Sequence, residues 1–184
     1  MGFNRGDVEE RINERAEEVE ERLENIPRGY TMPDSGDMII GSAKRLRLGI
    51  VFIDISGFTE YTSSNDPEDV LFMLNVFIPE VMELVRDFSG YFEKNTGDGI
   101  LAYFGAGDDD DEIAKDVLAY IASVKTALDD YVNPILEEKN IEKISIKAGA
   151  SLGTTHISRI GVHSLNRRTA VGSSANVASN LRSR

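Results

Sequence analysis

The chain has 184 residues, with 20 Lys and Arg against 32 Asp and Glu, a formal net charge of −12, and no Cys. This length predicts one domain with a short appendage, large enough to bury a core without disulfides. The lack of Cys excludes a disulfide framework, thiolate metal sites and a cysteine nucleophile. The net negative charge argues against a nucleic-acid partner, because nucleic acids are polyanions.

The charge is unevenly distributed along the chain. Residues 7–24 hold nine acids against three Arg, and residues 108–112 are all acidic. Residues 151–184 contain no acid and five Arg. We therefore expect the C-terminal fifth to be a cationic region that favours an anionic small ligand.

The N-terminus does not resemble a targeting segment. It is charged and lacks an apolar core. No stretch reaches the roughly 20 apolar residues that a membrane-spanning helix needs. We expect a cytoplasmic protein with no membrane partner.

Residues 7–26 are predicted to form one helix, which Asp7 caps at its N-terminus. Its apolar residues repeat with a 4-3-4-3 spacing that forms a short heptad seam. This pattern fits either a surface helix docked on the domain or a helix that dimerises or transmits a signal. Prolines and glycines follow in residues 27–43 and predict a linker. The sequence thus divides into a helix and linker (1–42) and a domain (43–184).

The domain is expected to alternate strands and helices. Residues 48–55 are nearly all apolar, which predicts a central strand buried on both faces. Further patterns predict a helix over 66–88, strands at 91–95 and 100–104, a helix from 108–112 to about 131 before Pro134, strands at 144–152 and 155–162 paired as a hairpin, and a helix over 173–181. This β-α-β-β-α-β order is the ferredoxin-like arrangement of the α+β class.

Two carboxylates have unusual positions. Asp54 is the one charge in the central strand, and Asp98 occupies the tight Asp-Gly turn between two strands. In this topology the two positions can be neighbours, and facing carboxylates repel unless cations lie between them. Hard oxygen ligands favour two Mg²⁺ or Mn²⁺ ions, the usual device for displacement at phosphorus. Alternatively, each Asp serves only its own turn.

The segment Ser56-Gly57-Phe58-Thr59 follows Asp54 directly and opens a helix. Backbone N–H groups at such a turn can bind phosphate oxygens. Small residues also occur in turns that bind nothing.

Three segments together resemble a known family. Phe52-Ile-Asp-Ile-Ser-Gly-Phe-Thr59, Lys94-Asn-Thr-Gly-Asp-Gly99 and Gly172-Ser-Ser-Ala-Asn-Val-Ala-Ser-Asn-Leu181 are similar to the signature blocks of class III nucleotidyl cyclases, the adenylate and guanylate cyclase catalytic domains. The resemblance covers about residues 45–184. It implies a ferredoxin-like palm domain that acts as a homodimer with active sites at the interface. It also implies conversion of a nucleoside triphosphate to its 3′,5′-cyclic monophosphate and pyrophosphate.

The resemblance assigns roles to individual residues. Metals would be bound by Asp54, Asp98 and the Ile55 carbonyl of one chain, and Gly57, Phe58 and Thr59 would contact the substrate. Lys94 and Thr169 would read the base, and the partner chain would supply Asn176 to orient the ribose. Guanylate cyclases typically have Glu and Cys at the two base-reading positions. The Lys and Thr found here resemble bacterial-type adenylate cyclases, so adenylate cyclase activity is the favoured expectation.

Two departures from the family pattern leave alternatives open. The family's transition-state arginine falls on Asn180, and Arg182 lies roughly 200° further around a helix. The family's domains also continue beyond this helix to a triphosphate-binding lysine, so we expect either a shortened domain or the use of Lys44, Arg45 or Arg47. These departures, and the stretch Ile40-Gly-Ser-Ala-Lys44, resemble the bacterial pyrimidine cyclases of antiphage (Pycsar) defence. The loss of the arginine also fits a degenerate cyclase fold that binds or regulates without catalysis.

Overall fold

A computed structural model describes residues 4–34, 36–95 and 97–173. Five strands form one antiparallel sheet in the order β2-β3-β1-β4-β5. The elements are α1 (Arg5–Leu23), β1 (Ala43–Ile55), α2 (Phe58–Ser64), α3 (Pro67–Asp87), β2 (Tyr91–Asn95), β3 (Gly99–Gly105), α4 (Asp110–Ala127), a π-helical turn (Leu128–Val132), α5 (Asn133–Glu138), β4 (Ile146–Val162) and β5 (Leu165–Val171). The predicted α+β, ferredoxin-like order is confirmed, and β5 lies at residues for which no strand was predicted.

The central position of β1 follows from its composition. Its residues are buried from Leu48 to Ile53, and it pairs antiparallel with β3 on one side and β4 on the other. A strand segment buried on both faces needs apolar side chains, and residues 48–53 are all apolar or glycine, with Asp54 directly after them.

One face of the sheet packs against α3 and α4. The core on this face contains Phe77, Phe104 and Tyr120, each no more than 1 % exposed. The rings of Phe104 and Tyr120 lie 5.0 Å apart between centroids. Full burial of one such side chain contributes roughly 1.5–3 kcal/mol, so this face supplies most of the apolar stabilisation.

The other face is covered by the linker and by the hairpin of β4 and β5, which we call the β4–β5 arm. A smaller apolar cluster lies here, in which Met32 and Met38 of the linker pack over β1. Arg159 of the arm donates to the carbonyl oxygen of Met38 at 2.6 Å and to the Asn166 side chain at 2.7 Å. Polar contacts therefore hold the layer on this face.

Helix α1 is attached to the surface by few contacts. None of its residues is buried, and Arg22 donates to the carbonyl oxygen of Ile40 at 2.8 Å. The side chain of Asn4, and not that of Asp7, caps the helix by accepting from the Gly6 N–H. The predicted cap was wrong because the helix begins two residues earlier than the acidic pattern indicated. Its docking on the domain is observed, whereas dimerisation through it stays a prediction.

The predicted hairpin between residues 144–152 and 155–162 was wrong. These residues form one continuous strand, β4, and its hairpin partner is β5. Gly153 looks like a turn residue in the sequence, but it is buried and pairs with Leu48 in the ladder between β1 and β4. The thirteen-residue β1 imposes an equally long partner, which overrides the local turn propensity.

The predicted stop before Pro134 was also wrong. The chain passes through the π-helical turn into α5, in whose first turn Pro134 is tolerated because no N–H is needed there. The Asn133 side chain then bonds both the N–H and the carbonyl oxygen of Ile144, each at 3.0 Å. This pair of bonds fixes where β4 begins.

None of the helices in the described part of the chain combines the length and apolar character needed to span a bilayer. The helix predicted over 173–181 lies, apart from Ser173, outside the described residues.

Candidate active site

The structure brings Asp54 and Asp98 together at the end of β1. Asp54 pairs with Gly99 of β3 on one side and with Lys147 of β4 on the other. The N–H of Ile55 donates to the carbonyl oxygen of Asp98 at 3.1 Å. The turn that carries Asp98 is thus bonded directly to the residue that follows Asp54.

Gly99 makes this approach sterically possible. A Cβ built on Gly99 would lie 2.4 Å from the carbonyl oxygen of Ile53 and 2.7 Å from Oδ1 of Asp54. The preceding turn is held by the Asn95 side chain, which accepts from the Gly97 N–H at 2.7 Å. The Asp54 carboxylate therefore lies against the backbone of the turn, where only a glycine fits.

The two carboxylates suit a hard divalent cation. Both residues are half-buried, so their oxygens are partly desolvated yet accessible. Among residues 4–34, 36–95 and 97–173, His, Asp and Glu form no group of three or more that could hold a metal ion. A cation at this pair would complete its coordination with backbone carbonyls, water or substrate phosphates, as Mg²⁺ commonly does.

The turn predicted to contact phosphate lies directly after this pair. Gly57 has φ +68°, in the left-handed region, and its carbonyl oxygen accepts from the Tyr61 N–H at 2.9 Å to start α2. Phe58 is half-buried and Thr59 is exposed at the beginning of the same helix. Tyr61 anchors α2 by donating its hydroxyl to the carbonyl oxygen of Glu142 at 2.9 Å, and its burial raises the pKa of that hydroxyl.

The predicted base-reading residues lie on the two outer strands. Lys94 is exposed on β2 and pairs with Leu101 of β3. Thr169 is half-buried on β5 and pairs with Ser158 of β4. The predicted ribose residue, Asn176, lies outside the described residues.

Sequence analysis missed a buried ion pair between these outer strands. Nε of Arg168 lies 2.9 Å from Oε2 of Glu93, and the two side chains are only 16 % and 8 % exposed. Arg168 also donates to the carbonyl oxygen of Pro33 at 2.9 Å. The signal in the sequence was weak: Glu93 is an acid directly before Lys94, and Arg168 directly precedes Thr169.

The cationic C-terminal region is therefore used in part for internal contacts. The structure describes three of its five arginines. Arg159 and Arg168 hold the linker and β2 as described above, and Arg167 is exposed. The sequence count of positive charges thus overstated how many face a ligand in this part of the chain.

The alternative phosphate-binding cations lie far from the carboxylate pair of their own chain. Lys44, Arg45 and Arg47 occupy the beginning of β1, and an extended strand places Lys44 about 30 Å from Asp54. Arg47 is also engaged with Asp110 through two bonds of 2.8 and 2.6 Å. This contact raises the pKa of Arg47 and lowers that of Asp110.

Comparison with known families agrees with the fold. Residues 42–184 match the sequence profile of the adenylate and guanylate cyclase catalytic domain. The chain therefore belongs to this family, and the resemblance to class III nucleotidyl cyclases is confirmed.

The individual relatives have low sequence identity to this chain. The chain is 27 % identical over 142 residues to an adenylate cyclase of Anabaena cylindrica and 28 % identical over 172 residues to a cytidylate cyclase of Escherichia coli. These matches cover 77 % and 86 % of this chain but only 28 % and 36 % of the relatives. The structure of the adenylyl cyclase CyaB from P. aeruginosa superposes with a TM-score of 0.72 at 23 % identity, covering 77 % of this chain and 74 % of CyaB. This likeness establishes the palm fold.

Proposed function

We propose that the protein is an adenylate cyclase that converts ATP to 3′,5′-cyclic AMP and pyrophosphate. The proposal rests mainly on the contact between the C-terminal end of β1 and the β2–β3 turn. There the Ile55 N–H donates to the carbonyl oxygen of Asp98, and Asp54 pairs with Gly99, within a domain of the cyclase family.

Asp54, Asp98 and the carbonyl oxygen of Ile55 would hold two Mg²⁺ or Mn²⁺ ions. When bound, such ions supply activation of the ribose 3′-oxygen and charge neutralisation on the phosphates. The geometry of Gly99 supports this assignment, because it aligns the Asp54 carboxylate against the turn that carries Asp98. Gly57, Phe58 and Thr59 come shortly after Asp54 in the sequence and would position the phosphates of the substrate.

Base recognition is assigned to Lys94 and Thr169. The Lys94 ammonium would donate to N1 of adenine, and the Thr169 hydroxyl would accept from its 6-amino group. Asn176 would orient the ribose. Asn180 takes the place of an arginine that stabilises transition-state charge, so we expect slower turnover than in relatives that have arginine there.

The active enzyme is proposed to be a homodimer with its sites at the interface. One copy would contribute the carboxylate pair, and the other would contribute Asn176. This division follows from the family resemblance. Asp54, Lys94 and Thr169 lie on β1, β2 and β5 of the same sheet, and Asp98 lies in the turn between β2 and β3.

A pyrimidine cyclase is the second candidate. The cytidylate cyclase of E. coli matches a larger share of this chain than the adenylate cyclase of A. cylindrica does. The segment 40–44 also resembles this subgroup. In this case Lys94 would face a pyrimidine ring, and the product would be cyclic CMP or cyclic UMP.

The test is product analysis with the purified full chain. The protein is incubated separately with ATP, GTP, CTP and UTP in the presence of Mn²⁺, and products are identified by chromatography and mass. Cyclic AMP as the main product is the expected result, and cyclic CMP or cyclic UMP would favour the second candidate. If none of the four yields a cyclic product, the enzyme proposal is wrong and the chain is a binding or regulatory module.

A further inference from the structure

We infer that Glu93 and Arg168 are positioning residues that join β2 to β5, so that Lys94 and Thr169 act as one base-reading unit. The inference rests on the proposed function, because it takes the roles of Lys94 and Thr169 from there. It adds a pair of residues to which sequence analysis gave no role.

The contact spans the whole sheet. β2 and β5 are the two outer strands, with β3, β1 and β4 between them. In a flat sheet four strand spacings would separate them by about 19 Å. A 2.9 Å contact between Glu93 and Arg168 therefore requires the β4–β5 arm to curl over the linker-covered face of the sheet.

The backbone of β2 is adapted to this contact. The pairing of β2 with β3 shifts register between Phe92 and Lys94, which leaves Glu93 as the extra residue of a β-bulge. Such bulges redirect a side chain relative to the regular alternation. Here Glu93 is buried against Arg168, while its neighbour Lys94 is exposed.

Arg168 is held by more than the ion pair. Besides Glu93, it donates through Nη1 to the carbonyl oxygen of Pro33 at 2.9 Å and approaches the carbonyl oxygen of Phe92 at 3.5 Å through Nη2. The planar guanidinium can make these contacts together, which a lysine ammonium cannot do in the same geometry. The next residue, Thr169, is thereby fixed relative to β2 and the linker.

The energetics favour a positioning role over a stabilising one. A buried ion pair gains little net stability over a well-packed apolar pair, because both charges must be desolvated. It does impose a specific geometry, and losing one partner leaves an uncompensated charge. The hydroxyl of Tyr103 is buried close to Glu93 and Arg168, and this burial raises its pKa.

The experiment compares nucleotide selectivity in variants of the full chain. Arg168→Lys, Glu93→Gln, Arg168→Gln and the double variant Glu93→Gln/Arg168→Gln are assayed for kcat and KM with ATP and CTP. Lys125→Gln is the matched control, because it removes an exposed ion pair between Lys125 of α4 and Asp129 of the π-helical turn, outside the base-reading strands. Thermal midpoints are recorded for every variant.

We expect each single variant to lower the ratio of kcat/KM for the preferred over the other nucleotide about tenfold, mainly through KM. The double variant should lose less than the product of the two single losses, because two neutral amides can still bond to each other. Lys125→Gln should leave the ratio unchanged. Arg168→Lys keeps the charge and is expected to fold, so it tests the geometry even if a Gln variant does not fold.

Two results would overturn the inference. One is a folded Arg168→Lys protein with wild-type selectivity. The other is a proportional loss of activity with both nucleotides in the single variants, which would show a purely structural role. Failure of the proposed function is recognised separately, because then the wild type forms no cyclic product or Lys94→Glu leaves selectivity unchanged.

Discussion

The two faces of the sheet are held together by different forces. On the helix side, α3 and α4 bury a continuous apolar cluster that includes Phe77 and Tyr120. On the opposite side, the linker and the β4–β5 arm are fastened by Arg159, Arg168 and Glu93 over a smaller apolar cluster. Apolar packing is non-directional, whereas these arginine contacts require defined atom positions.

This difference assigns separate tasks to the two faces. The helix side supplies the larger part of the apolar stabilisation of the fold. The arm side determines where Thr169 lies relative to Lys94 and so, under the proposed function, which base is accepted. The carboxylate pair at the end of β1 belongs to neither layer and should affect catalysis alone.

The largest effect is expected for Asp54→Ala. Loss of this carboxylate should lower kcat/KM more than about a thousandfold, because under the proposed function it is a metal ligand, while the elution volume of the folded protein should not change. Steady-state kinetics and size-exclusion chromatography measure this, with Asp108→Ala as the control at an exposed acid. Retained activity in Asp54→Ala would refute the metal assignment.

Phe77→Ala should have the next largest effect, on stability. Phe77 is 1 % exposed in the helix-side core, and truncating it should reduce the free energy of unfolding by about 3–5 kcal/mol. The fraction that remains folded should keep the wild-type KM and selectivity. Denaturant titration and kinetics on the same samples check both points, and a changed base preference would break the separation between the faces.

Arg159→Ala tests the arm side. It removes the bonds to Met38 and Asn166 and should lower the free energy of unfolding by about 1–3 kcal/mol. Because the linker and arm should loosen together, limited proteolysis is expected to cut near residues 36–41 before any cut in α3 or α4. Cleavage in the helices first would contradict the assignment of Arg159 to this layer.

Lys94→Glu should change specificity rather than stability. Replacing the donor to the base by an acceptor should shift the ratio of kcat/KM between ATP and GTP about tenfold toward GTP. Lys115→Glu makes the same charge change at an exposed position of α4 and serves as the control. An unchanged ratio in Lys94→Glu would remove Lys94 from base reading.

The smallest effect on stability is expected for Asp110→Asn. This substitution breaks a contact with Arg47 that is exposed to solvent and lies in neither apolar cluster. The pKa of Asp110 is lowered in the fold, so any stabilisation is present above its unfolded value of 3.8 and is lost as the pH falls through the lower folded value. The thermal midpoints of wild type and variant should therefore converge in acid and in high salt. A difference that grows on acidification would contradict this assignment.

The sequence was sufficient to predict the parts of the molecule that depend on local pattern. The apolar run containing Asp54 indicated β1, and the Asp-Gly turn at Asp98 indicated the hairpin of β2 and β3. The topology then placed the two carboxylates together. The β-α-β-β-α-β order of elements along the chain followed from the same patterns.

The structural features that the sequence did not predict depend on contacts between distant segments of the chain. Gly153 has the propensity of a turn but lies in a strand, because β1 continues alongside it. Pro134 lies inside a helical segment because the π-helical turn precedes it. Glu93 and Arg168 meet only because the sheet curls, which no local pattern encodes.

The close fit around Gly99 limits how this sequence can diverge. Any side chain at this position would collide with the backbone of Ile53, so the fold itself requires the glycine. A descendant that lost catalysis would therefore keep Gly99 and be free to replace Asp54 or Asp98. Among chains with this hairpin, the glycine is therefore required by the packing alone, and under the proposed function only the two carboxylates indicate whether the chain is catalytic.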